Sequence, residues 1–190
     1  MKRGLRDPLL TLGLCLLLAG AGAGLRWGLS ADAPGWAGAG PWSARPGWLA
    51  WLAEAGRQLV WGPGPAWALG LTVVGTPLTV VAVWVRGYIL GVAVAAALSA
   101  PLNLPQAVLT LLVPHLMGCV AVLLSSREAV RFGAAFMRAA VGIRPHELPA
   151  AFARFLAAGA ALALLALAAG GVHLLGLSLA RLALAVPGPP

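Results

Sequence analysis

The chain has 190 residues, of which 61% are hydrophobic and only 9% are charged, and its formal net charge is +8. Soluble domains carry about 25% charged residues, so this composition excludes an ordinary soluble globule and predicts an integral membrane protein. Long continuous apolar runs argue against a membrane β-barrel, whose strands alternate apolar and polar residues. The basic residues flank those runs, which argues against nucleic-acid binding and for contact with membrane lipids.

The first seven residues contain three basic side chains and precede an apolar run over residues 8–25. This pattern fits either an uncleaved anchor or a secretory signal peptide with its cleavage site in AGAGAG. The run of 18 residues is long enough to cross a bilayer, and we therefore predict an anchor.

A Trp-rich segment over residues 26–65 follows, with six of the eight tryptophans and many glycines and prolines. Trp favours the membrane–water interface. Within this segment, residues 47–61 show helical periodicity, with Trp48 and Trp51 on the apolar stripe. We predict a short helix on the outer membrane surface. The alternative is that Trp48 and Trp51 dock an extracytoplasmic partner.

Arg86 is the only formally charged residue between Leu59 and Ser126. At the centre of a membrane helix it would cost about 3 kcal/mol on insertion scales, whereas at a cytoplasmic turn with Gly87 it would cost little. We therefore predict a turn at Arg86, a bend at Pro77 and a further turn over residues 100–105. The resulting spans are 66–85, 87–101 and 105–125, of which 87–101 is short enough to be either a full span or re-entrant.

Five arginines lie in a basic loop over residues 127–154, which is predicted to contain an amphipathic helix, and a last span follows over residues 155–177. By the positive-inside rule, this loop and the N-terminus face the cytoplasm, so the Trp-rich loop and the C-terminus are extracytoplasmic. The predicted fold is a single all-α membrane domain over residues 1–190 with about five transmembrane helices.

The polar side chains of the predicted spans give little support for catalysis. His115 and Cys119 share a helix face after Pro114, and such a pair could in principle act as a nucleophile and base or bind a metal. However, no Asp or Glu lies in a predicted span, and zinc usually takes three or four protein ligands. We predict no enzyme activity, catalytic residue, metal or cofactor, with His115 buried in a polar contact between helices.

Small residues predict close helix packing, either within the chain or in a homo-oligomer. They include Gly70, Gly75, Gly87 and Gly91. The alternative function is a small membrane transporter or a transporter-associated subunit, since Pro77 and the turn at 101–105 could break helices around a midplane site.

The chain resembles the stage II sporulation protein M family of endospore-forming bacteria over about residues 60–180. The family shows a similar order and spacing of an LGL run, a glycine and a proline, a basic residue followed by glycine, and a further glycine. The residues that carry the resemblance are Leu69, Gly70, Leu71, Gly75, Pro77, Arg86, Gly87 and Gly91, followed by LVPHLMG (112–118), Phe136–Met137–Arg138 and Leu148–Pro149. Leu116 and Cys119 depart from the pattern, since a wider set of relatives has glycine and glutamate there.

The resemblance implies a multi-pass scaffold of the bacterial cell membrane. Such a protein would recruit two peptidoglycan hydrolases, sporulation proteins D and P, for septal wall remodelling and engulfment of the forespore. It would anchor and localise these enzymes without cutting the wall itself.

Overall fold

The computed structural model describes residues 7–30, 48–60, 63–72, 75–99, 108 and 112–185. Its helices are α1 (Pro8–Gly28), α2 (Trp48–Val60), α3 (Pro63–Gly70), α4 (Gly75–Ser99), α5 (Val113–Ala140) and α6 (Leu148–Ala185), with a 3₁₀ turn at Pro145–Glu147. No strand occurs in these ranges, which confirms the all-helical fold class.

Three helical segments in the described ranges are long and apolar enough to cross a membrane. They are Pro8–Gly28, Pro77–Ser99 and Pro145–Gly176. They support the prediction of a membrane protein. The count of five spans stays a prediction.

Local sequence explains where α1 begins and where α5 ends. The Asp7 carboxylate accepts a hydrogen bond from the Leu9 N–H at 3.2 Å, and Pro8 occupies the first helical position, both of which favour a helix start. At the other site, Gly142 has φ of +77° and the Ile143 N–H donates to the Arg138 carbonyl at 2.8 Å. This is the glycine-dependent termination expected after α5.

The helices α1 and α4 run parallel and in very close contact. Gly20 of α1 lies against the backbone of Trp84 and Tyr88, whereas Gly28 lies against Val92 and Ala95. Residue numbers therefore rise together along both helices. Because neither Gly20 nor Gly24 carries a Cβ, the two backbones approach closely, as in small-residue packing of membrane helices.

The helix α5 runs antiparallel to α1. Arg127 and Arg131 of α5 contact Asp7 at the start of α1, and Leu123 lies against Gly13 further along. We call this end of the bundle the Asp7 end and the opposite end the Gly28 end. The start of α1 and the basic half of α5 thus lie together, as the positive-inside assignment requires, although the side of the membrane they face stays a prediction.

A second cluster at the Asp7 end joins α3, α5 and α6. Phe155 of α6 is 1% exposed and stacks on Trp67 of α3 and Phe132 of α5, with ring centroids 5.3 Å and 4.8 Å apart. The Trp67 indole N–H donates to the Phe155 carbonyl at 3.3 Å. Gly70 fits against Ala129 in the same cluster, and α2 packs against α6.

The predicted break at Arg86 is wrong. Helix α4 continues through Arg86 and Gly87, so 66–85 and 87–101 are not two spans, and the chain breaks between Gly70 and Gly75 instead. There, the Thr72 hydroxyl donates to the Leu69 carbonyl at 2.9 Å and ends α3. Pro77 accordingly does not bend a helix: it lies in the first turn of α4, where proline is tolerated because that N–H has no intrahelical partner.

Other boundaries also differ from the prediction. The amphipathic helix predicted within the basic loop is observed over residues 127–140, but it continues directly from the predicted span 105–125 as one helix, α5, which begins at Val113. Helix α3 begins inside the predicted Trp-rich loop. A helix over 47–61 is observed as α2, while its predicted location on the outer membrane surface stays a prediction. The predicted span 155–177 lies within α6. The turn at 100–105, residues 31–47 and the side chains of Trp48 and Trp51 lie outside the described part of the chain.

Candidate functional site

Arg86 is the most unusual side chain of the described bundle, because it is charged, 3% exposed and near the middle of α4. At 1.5 Å per residue, it lies roughly 17–20 Å from either end of that helix. If α4 crosses a bilayer, the guanidinium group is close to the midplane, where ionisable residues are rare and are held by partners.

Helix α5 supplies the contacts of this guanidinium group. Arg86 Nη2 donates a hydrogen bond to the His115 carbonyl at 3.4 Å, and the guanidinium group also lies close enough to the Cys119 thiol to interact with it. Arg57 of α2 is close enough to interact with Arg86 electrostatically. A carbonyl oxygen has two lone pairs, so His115 can accept this bond while remaining in its helix.

Gly118 provides the space for the arginine. A Cβ at this position would overlap the guanidinium group of Arg86. His115, Gly118 and Cys119 are spaced by three and four residues, which places them on one face of α5. The segment HLMGC (115–119) therefore forms the binding seat of Arg86. His115 contributes its carbonyl, Gly118 leaves the space and Cys119 contributes its thiol. Pro114, one residue earlier, is fully buried beside it.

The structure thus brings together Arg86, His115 and Cys119, although the sequence placed Arg86 in a turn far from the other two. His115 contributes its backbone carbonyl to this contact. Within the described ranges, no group of three or more His, Cys, Asp or Glu side chains is placed to hold a metal ion. What these contacts do is stabilise the buried, positively charged guanidinium group of Arg86.

The predicted packing glycines lie at helix contacts outside this seat. Gly87 lies against the backbone of Leu17, Gly91 against Ala21 and Leu25, and Gly70 against Ala129 and Phe155. Gly75 is the first residue of α4, and Pro77 is exposed at its start.

Two features of the bundle were missed from the sequence. The first is the role of Gly20, Gly24 and Gly28, whose four-residue spacing matches that of Gly87, Gly91 and Ala95 on the facing helix. That spacing is the recognisable signal of close helix packing. The small residues of AGAGAG enter the sequence-based prediction only through the alternative of a signal-peptide cleavage site, against which an uncleaved anchor is predicted.

The second missed feature is an ionic cluster at the Asp7 end. The Asp7 carboxylate accepts hydrogen bonds from Arg127 Nε at 2.8 Å and Arg131 Nη2 at 2.7 Å. Glu128 pairs with the same two arginines at 3.1 Å and 3.3 Å. The hydrogen bond from Arg127 lowers the pKa of Asp7 from its ordinary value, against the opposing effect of partial burial.

Comparisons with known proteins add no relative: no family model matches the chain, and no curated protein or solved structure is significantly similar to it.

Proposed function

We propose that this chain is a non-enzymatic membrane scaffold similar to stage II sporulation protein M, which holds peptidoglycan hydrolases such as sporulation proteins D and P at the septum. The observation that supports the proposal is that several residues that carry the resemblance lie in contacts between helices. Gly70, Gly87 and Gly91 lie in helix contacts, and Arg86 joins α4 to α5. These residues specify how the helices pack, which is what a scaffold requires.

The contacts also favour a rigid platform over a moving carrier. The parallel pair α1 and α4 has glycines on both helices packed against the partner's backbone, so neither helix can slide without a steric clash. The side chain of Arg86 packs against α5, and its guanidinium group fills the space beside Gly118. Transport by alternating access would need these contacts to exchange between two arrangements.

The partner-binding surface is proposed to lie toward the Gly28 end. That end is opposite to Arg127 and Arg131, and the positive-inside rule therefore assigns it to the extracytoplasmic side. Helix α2 presents exposed Leu49 and Leu52, 64% and 45% accessible, on the segment that also carries Trp48 and Trp51. An exposed apolar helix of this kind suits an apolar partner surface.

The test is co-purification of extracytoplasmic hydrolases with the full chain in mild detergent. Changing Trp48 and Trp51 to alanine is expected to reduce the captured hydrolase at least severalfold. The matched control is Trp84→Ala, since Trp84 is exposed near the middle of α4, where an extracytoplasmic partner has no access. Failure to capture any hydrolase with a folded protein, or equal loss in the control, counts against the scaffold.

A second candidate function is a small transporter or a transporter-associated subunit, and one observation favours it. A buried arginine near the middle of an apolar helix is a recurring feature of substrate and ion pathways. Reconstituted vesicles distinguish the two functions. A transporter is expected to show solute or ion flux, and the Arg86→Gln variant should lose it. A scaffold is expected to show no flux with either the wild type or the variant.

A further inference from the structure

The Asp7 end contains a cavity of about 290 Å³ between the second half of α5 and the start of α6. Facing stripes of the two helices line it, and each stripe has the three- and four-residue spacing of one helix face. The charged lining side chains are Glu128, Arg131, Arg138, Glu147 and Arg154.

The floor of the cavity is apolar. Phe132, Ala135 and Ala151 are each less than 10% exposed and line it together with Ala134. Arg154 directly precedes the apolar run of α6 from Phe155 to Ala169. The cavity therefore lies at the level where the membrane-compatible surface of α6 ends, with cations toward water and apolar side chains beneath them.

The ion pairs around the cavity leave positive charge in excess. Glu128 pairs with Arg127 and Arg131, and Glu147 pairs with Arg144 at 3.3 Å. Arg131 also pairs with Asp7. Both carboxylates of the lining are thus already occupied.

Arg138 and Arg154 are the source of the excess charge. Among the described residues, neither has an ion-pair partner, and both are exposed at the cavity. Guanidinium groups bind phosphate oxygens well because their planar forks donate two parallel hydrogen bonds. Two guanidinium groups that line one cavity above an apolar floor match a phosphate group that is attached to hydrocarbon.

We infer that this cavity binds the phosphate headgroup of an anionic phospholipid, with Arg138 and Arg154 as its phosphate ligands. Its volume suits a headgroup and is at the low end for a larger soluble ligand. Basic pockets between helices at the cytoplasmic surface are suited to anionic headgroups. The inference depends on the membrane location of the chain and not on the scaffold function, and it applies equally to a transporter subunit.

Lipid titration into the detergent-solubilised full chain tests the inference, with native mass spectrometry as the readout of bound lipid. Phosphatidylglycerol is expected to bind more tightly than phosphatidylcholine, whose headgroup is neutral overall. Arg138→Gln and Arg154→Gln should each weaken phosphatidylglycerol binding about fivefold, since one arginine near an anionic surface contributes about that factor. Binding of phosphatidylcholine should not change.

Two further variants separate charge from position and from folding. Arg26→Gln removes one exposed cation at the Gly28 end and should leave lipid binding unchanged. Arg154→Lys keeps the charge but loses the two parallel donors, so its affinity for phosphatidylglycerol should fall between those of the wild type and Arg154→Gln, with the preference over phosphatidylcholine retained. Loss of the preference in either of these variants would overturn the inference, because a general charge effect or local distortion would then explain the glutamine variants.

A third arm identifies the source of the phosphate. Inorganic phosphate at the concentration of the lipid should not displace phosphatidylglycerol, because it makes no contact with the apolar floor. Full displacement would assign the cavity to a soluble phosphate compound and overturn the lipid inference. Equal affinity for the two lipids, or wild-type phosphatidylglycerol binding in both glutamine variants, would also overturn it.

Discussion

Substitution of Gly24 by alanine tests the close packing of α1 on α4. A Cβ at Gly24 would lie 2.8 Å from the carbonyl carbon of Tyr88 and closer still to its oxygen, whereas ordinary contacts begin at 3.4 Å. Either the two helices separate or the turn around residue 24 distorts. Overpacking of this kind costs about 1–3 kcal/mol.

Gly22 provides a matched control two residues earlier on the same helix. It is exposed, and a Cβ there would meet no atom within 4 Å. Both glycine-to-alanine changes raise the intrinsic helix propensity by about 1 kcal/mol, so the difference between the variants isolates the interhelical contact. We expect Gly24→Ala to be less stable than Gly22→Ala by about 1–3 kcal/mol.

The assay is unfolding in mixed micelles by titration with sodium dodecyl sulfate, followed by far-ultraviolet circular dichroism. The two variants should show separated midpoints, with Gly22→Ala at or above the wild type. Coincident midpoints would contradict the close packing of α1 on α4, since they would mean that no backbone lies against Gly24 in the folded protein.

Three further predictions concern other contacts of the bundle. Gly118→Ala should destabilise the protein by about 1–3 kcal/mol, but much less in an Arg86→Ala background, and a double-mutant cycle of unfolding free energies measures that coupling. Asp7→Asn keeps an N-cap oxygen but loses the negative charge that faces Arg127 and Arg131. Because the pKa of Asp7 is lowered from 3.8 in the folded protein, the ionic stabilisation by Asp7 is complete above pH 3.8. This stabilisation is lost as the pH falls through the lowered pKa. Wild-type and Asp7→Asn melting temperatures should therefore differ at neutral pH and converge in acid, and a constant difference would contradict the assignment. Phe155→Ala should cost about 3–5 kcal/mol. In a chain whose other seven tryptophans are replaced by phenylalanine, it should also increase quenching of Trp67 fluorescence by a soluble quencher, whereas unchanged quenching would contradict the stacking.

Local signals were sufficient to locate several elements. The helix predicted over 47–61 is observed as Trp48–Val60, because its apolar stripe and the proline-rich flanks act over a few residues. Similarly, the small residues Gly87 and Gly91 indicated close packing of one helix on another. These features depend on neighbours within one or two turns of helix, which a sequence displays directly.

The position of Arg86 could not be read in the same way. The prediction of a turn assumed that a charge inside an apolar segment has no partners, so that its insertion cost decides. In the folded bundle, the His115 carbonyl and the Cys119 thiol meet Arg86 from about 30 residues away, and Gly118 leaves room for it. Such partners arise only from the pairing of α4 with α5, which no local pattern encodes.

The pairing of α1 with α4 shows the same limit. The spacing of Gly20, Gly24 and Gly28 indicates a contact face, but it does not indicate which helix meets that face or in which direction. Any of the later long helices α4, α5 and α6 could have supplied the partner. Helices α1 and α4 are parallel because α2 and α3 lead the chain from the end of α1 back to the Asp7 end, where α4 begins. The sequence-based prediction has the helix break at Arg86, whereas the structure has it after Gly70.

The two ends of α4 distinguish a single membrane span through Arg86 from two helices that meet there. Leu78 and Leu98 are exposed, 47% and 71% accessible, and lie 20 residues apart, or about 30 Å along a helix. Each is changed to cysteine in turn and labelled with a membrane-impermeant maleimide in right-side-out and inside-out vesicles, with the parent chain as the control. A single span with Arg86 inside it predicts that the two cysteines label from opposite sides of the membrane. Labelling of both from the same side would contradict it, because that result requires two helices that meet at Arg86.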